Sequence, residues 1–135
     1  MGIPSAPNQR YTTSKQLIAG SDMNNLSDQL NSAQKLTALG TTQATAAAIN
    51  AANVEIASGS AANAGVRLPT SYPGLIVNIL NNSLNTSDVY PGGTDQIQNA
   101  GTTYAAASAA VTMATLVSWS LICMKKGFWQ RIITS

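Results

Sequence analysis

The feature that most constrains this chain is its punctuation: from Gly65 onward, turn-forming residues recur about every 8–12 positions, which leaves room for short strands and little for helices. Val66-Arg67-Leu68 runs into Pro69, which biases its predecessor toward an extended backbone, and Tyr72-Pro73-Gly74 marks a turn. Residues 75–80 are short and rich in branched side chains, and Asn81-Asn82-Ser83 bounds them. Val89-Tyr90 leads into Pro91-Gly92-Gly93, after which residues 94–98 can return as a strand. Residues 111–114, 117–124 and 128–133 read as further strands, with Lys125-Lys126-Gly127 as a tight hairpin turn. Within 117–124, Val117, Trp119, Leu121 and Cys123 share one side, and Ser118, Ser120, Ile122 and Met124 the other. Upstream, residues 49–58 read as extended, because asparagines interrupt any long helix and Val54-Glu55-Ile56 alternates. The expectation is a mainly β chain: a small antiparallel β-sandwich or barrel over 49–135.

Residues 1–48 are expected to form an arm with one short helix at about 21–39. Pro4 and Pro7 fix two φ angles and remove two donors, so the first residues should run extended. No apolar run follows a basic start, so no signal peptide is indicated. Ser21 or Asp22 can cap a helix, and Gly40 can end it in a left-handed conformation. Between them Met23, Leu26, Leu30, Ala33 and Leu36 or Thr37 recur at steps of three and four, which is one stripe on a helix. So short a helix is marginal alone and must pack on this domain or clasp a neighbouring subunit.

Residues 105–124 carry no charge and precede Lys125-Lys126, a length that would span a bilayer as a helix. Their serines and threonines, and the strand period of the second half, favour strands, so no membrane partner is expected.

Composition narrows the function. Leu, Ile, Val and Phe number 28 of 135 residues and charged residues make up 9%, whereas Ser, Thr, Asn and Gln number 48 and Ala 21. A chain poor in bulky residues and in charge is ordered most cheaply by burying surface against other copies of itself. There is no His, so the commonest general base and metal ligand are both missing. Cys123 is the one thiol, which excludes an internal disulfide and a cysteine-cluster zinc site. Asp22, Asp28, Glu55, Asp88 and Asp95 are scattered. No catalytic residue, cofactor site or metal site is expected. Lys125, Lys126 and Arg131 lack the aromatic interleaving of a nucleic-acid face and read as a solvated or partner-facing patch, so no nucleic-acid partner is expected. Trp119, Phe128 and Trp129 read as core or interface anchors, and Cys123 as a small buried hydrophobe.

Ala64-Gly65-Val66-Arg67-Leu68-Pro69, Tyr72-Pro73-Gly74, Val77-Asn78-Ile79-Leu80-Asn81-Asn82-Ser83, Val89-Tyr90-Pro91, Val111-Thr112-Met113 and Gly127-Phe128-Trp129 follow one another in a distinctive order. Their succession resembles a "GV-x-LP … PG … V-x-V-x-N-x-S … V-x-P … W" module of tailed-bacteriophage structural proteins, over roughly residues 54–133. The resemblance implies a non-enzymatic virion component on a small β-domain, commonly a homotrimer, that decorates the capsid or forms part of a fibre. It supplies no catalytic set. Because the chain shows no internal repeat, it suits a capsid decoration, or cement, protein that binds the major capsid protein on the virion surface. A tail or head fibre, spike or head–tail component is the alternative, and a carbohydrate-binding module a third. Candidate oligomer or shell contacts are Met23, Leu26, Leu30, Ala33, Leu36, Trp119, Phe128 and Trp129.

Overall fold

The computed structural model describes residues 33–99 and 103–133. The chain divides into Met1–Ser32 and a compact unit, Ala33–Ser135. The expected arm, the cap at Ser21 or Asp22, and Met23, Leu26 and Leu30 lie outside the described residues.

Alternating burial sets the strands. In β5 (Ile76–Asn81) Val77, Ile79 and Asn81 are buried while Ile76, Asn78 and Leu80 are exposed, the two-residue period of a half-buried strand. β9 (Ser118–Lys125) buries Trp119, Leu121 and Cys123 in the same way. The other strands are β1 (Gln34–Ala38), β2 (Ala47–Ala48), β3 (Asn53–Gly59), β4 (Ala64–Arg67), β6 (Ser87–Tyr90), β7 (Gln96–Ile97), β8 (Val111–Met113) and β10 (Phe128–Ile133). They form a six-stranded sheet, ordered β1-β3-β5-β9-β10-β7, and a four-stranded sheet, ordered β2-β4-β6-β8. Both contribute to one buried cluster, in which Ile56, Val77, Leu121 and Trp129 of the first sheet join Val66, Val89 and Met113 of the second.

The sheets are mixed, and this corrects the antiparallel expectation. β1, β3 and β5 pair parallel, and so do β2, β4 and β6. From β1 to β6 the chain passes from one sheet to the other and back, laying each turn beside the last. Partners in successive turns are 20 and 25 residues apart in one sheet (Gln34 with Val54, Val54 with Ile79). In the other they are 19 and 23 apart (Ala47 with Val66, Val66 with Val89). A structural repeat is therefore present where the sequence shows none. Parallel neighbours need a long crossover, which here is a strand of the opposite sheet. The turn signals between β4 and β7 thus divide strands of different sheets, whereas Lys125-Lys126-Gly127 joins β9 and β10 of one sheet, and β8, β9 and β10 add the antiparallel pairs.

The end of the expected helix is also corrected: residues 34–38 are β1, paired to β3. Gln34, Leu36 and Ala38 fit a two-residue period, whereas Leu36 alone also continues the helical stripe, and the ladder to β3 decides between them. Gly40 does adopt a left-handed φ of 67°, but it turns the chain after a strand. β1 and β2 both fall in the segment expected to be arm and helix, and both belong to the sheets.

Close approach between turns explains Gly65. A Cβ there would meet the Tyr90 ring at 2.8 Å and the Ala46 Cβ at 3.1 Å. Asn81 is fully buried, and its amide nitrogen donates to the carbonyls of Asn85 at 2.9 Å and Ala114 at 3.1 Å. Its oxygen accepts from the Ser83 backbone N–H at 3.1 Å and hydroxyl at 2.7 Å. Val77, Ile79, Asn81 and Ser83, alternate positions of the quoted pattern, are all buried. That part of the pattern specifies packing and a satisfied buried turn, not reaction chemistry.

Candidate functional site

Strand parity gives the six-stranded sheet an outer face distinct from its core. Across β5, β9 and β10 the register sets Ile76 beside Ile122 and Gln130, and Asn78 beside Ser120 and Ile132. Ile76, Leu80, Ile132 and Met124 are exposed by 47%, 41%, 48% and 68%. Polar bonds hold the middle of this face. The Asn78 amide donates to Asn53 Oδ1 at 2.9 Å, and the Ser120 hydroxyl donates to Asn78 Oδ1 at 2.7 Å. Toward β1, Glu55 accepts from the Asn82 amide at 2.8 Å and lies 4.0 Å from the Lys35 ammonium.

Toward the β9–β10 turn the face becomes aromatic and cationic. The Tyr104 ring stands edge-on to Phe128, with centroids 5.3 Å apart and planes at 79°. The Lys125 ammonium lies 5.2 Å from the Phe128 centroid. These three residues, with Met124 and Gln130, line a recess of about 300 Å³. A buried chain of bonds ties down the turn: Asp95 accepts the Ser71 N–H at 3.0 Å, and the Ser71 hydroxyl accepts the Gly127 N–H at 2.7 Å.

Arg131 parts company with the lysines. Its guanidinium lies 4.2 Å from the Trp119 ring centroid, and its side chain donates to the Asn99 carbonyl. Burial holds its pKa below the usual arginine value. Lys125 and Lys126 are exposed at the turn, so the three cations do not form a single patch.

Among the described residues no group of three or more His, Cys, Asp or Glu could hold a metal ion. Cys123 is buried, and its thiol donates to the Lys125 carbonyl at 3.2 Å. No described helix is long and apolar enough to cross a membrane. No family model, curated protein or solved structure matches the chain.

The candidate contact residues separate. Trp119 and Trp129 are 5% and 0% exposed and belong to the core. Leu36 packs against the same cluster, Phe128 lines the recess, and Ala33 borders a shallow cleft with Asn53, Asn78 and Leu80. Sequence reasoning missed Ile76, Ile132, Tyr104 and Gln130 as surface elements. The alternation of Phe128, Gln130 and Ile132 around buried Trp129 was the available signal for β10, whereas Tyr104, in a loop, had none.

Proposed function

We propose that this chain is a non-enzymatic structural subunit that acts by association, and that it is a capsid decoration, or cement, protein of a tailed bacteriophage. The observation that carries the reading is the outer face of the six-stranded sheet, where Ile76, Leu80 and Ile132 are exposed on one surface away from the β9–β10 turn. Grouped exposed apolar side chains favour contact with another protein. In this reading the two sheets are the layers of a small β-sandwich, and three copies form a homotrimer. The trimer would bind the major capsid protein and reinforce joints in the head shell on the virion surface. Symmetric copies make modest contacts act together.

The winding of β1 to β6 favours a second reading, a fibre, spike or head–tail component, because stacked turns suit an elongated element. Copy number separates the two. In purified particles, mass spectrometry should find hundreds of copies per particle, on the order expected if every capsomer joint of a symmetric shell is occupied. A few to a few tens, again in terms of symmetric sites, would favour the second reading. Absence from particles refutes both.

A further inference from the structure

We propose that the recess at the β9–β10 turn is a binding site for an acidic saccharide. The geometry offers what a charged pyranose ring needs: apolar surface from Met124 and Phe128, with Tyr104 edge-on to Phe128 as a wall, to take the C–H faces of the sugar. Gln130 brings an amide able both to donate to and accept from hydroxyls, and the Lys125 ammonium can pair with a carboxylate. The volume of about 300 Å³ is at the lower end of small-molecule sites.

Charge selects the acidic member of this class. Among the described acids, Glu55 lies by Lys35 and Asn82, Asp88 accepts from the Thr112 hydroxyl at 2.7 Å, and Asp95 is buried against Ser71. None of these contacts neutralises Lys125, and Lys126 adds a second exposed cation beside it. A peptide fits less well. The β9 and β10 backbones are paired to each other, and Phe128 and Trp129 are also paired to β7, so the recess offers no free sheet edge to a peptide strand.

Saturation-transfer NMR and calorimetry on the full chain test this with trigalacturonate as the acidic probe and its methyl ester as the neutral one. Trigalacturonate should bind, and the ester should bind at least about tenfold more weakly, a step of one decade in Kd. Lys125→Glu should abolish binding and Tyr104→Ala should weaken it, with circular dichroism unchanged in both, while Lys35→Ala should bind as the parent does. Phe128 packs more deeply, so the exposed Lys125 position carries the decision. The proposal is overturned by no transfer from trigalacturonate, by equal binding of the ester, or by full binding by a folded Lys125→Glu chain. Equal binding of tetraglutamate would also overturn it, in favour of a general anion patch.

Discussion

Replacing Asn81 with Leu tests whether the buried turn after β5 is held by its hydrogen bonds or only by its shape. The side chain is fully buried, and Leu keeps its branched outline but with bulkier methyl groups, which adds about 1–3 kcal/mol of overpacking. The substitution removes the partner seen here from the Ala114 carbonyl and from the Ser83 N–H. The Asn85 carbonyl keeps a bond from the Ser83 hydroxyl at 2.9 Å. One buried group, the Ser83 N–H, and one part-buried group, the Ala114 carbonyl, losing partners at about 1–3 kcal/mol each, the second at the low end, gives roughly 2–4 kcal/mol. The gain from burying an apolar side chain, about 1.5–3 kcal/mol, offsets part of this. Together with the overpacking, the net expectation is about 3 kcal/mol of destabilisation. That is a large share of the stability of a domain this size, which runs to about 5–15 kcal/mol. Urea unfolding followed by tryptophan fluorescence should show a midpoint lowered by about 1–3 M, given slopes of about 1–3 kcal/mol per molar for small proteins. The adjacent Asn82 is the control. It is exposed and bonds only Glu55 through its side chain, so Asn82→Ala should cost no more than about 0.5 kcal/mol. If the two variants unfold at the same urea concentration, the reasoning about buried satisfaction at Asn81 fails.

Gly65→Ala should destabilise by about 1–3 kcal/mol, because the new methyl meets the Tyr90 ring and Ala46; an unchanged thermal midpoint would show that the turns can separate at no cost. Cys123 should resist a thiol reagent in the folded chain and react fully once unfolded, and fast labelling of the native chain would mean that the core near β9 is open. Ile76→Asp with Ile132→Asp should leave the circular dichroism spectrum intact but shift sedimentation toward smaller species; unchanged sedimentation would remove this face from the interface. The Tyr90 pKa lies above the usual tyrosine value because of desolvation first and the neighbouring Asp88 charge second. The unfolded chain therefore ionises this phenol first, so stability falls as pH rises from about 10 through the folded pKa. Tyr90→Phe should remove that part of the alkaline loss, measured as urea midpoints against pH.

Local chemistry determined much of this protein in advance. The turn at Tyr72-Pro73-Gly74, the strand limits near 76–81 and 128–133, and the inward set Trp119, Leu121 and Cys123 follow from residues adjacent in sequence. Turn propensity and two-residue burial are properties of a few neighbouring residues, which is why they were legible. Three things were decided only in the tertiary structure. Residues 34–38 became a strand because Gln34 to Ala38 found partners in β3, although Leu36 also fits a helical stripe. Asn81 rather than Asn82 entered the core, and only the burial parity of β5 separates these identical neighbours. The parallel winding placed residues some 20 apart side by side. A strand's alternation says which side chains share a face, but its backbone N–H and C=O groups carry no address for their partner. For the same reason the recess was invisible from the sequence. Lys125 and Phe128 were legible as hairpin neighbours, but Tyr104 reaches them only through the loop that follows β7.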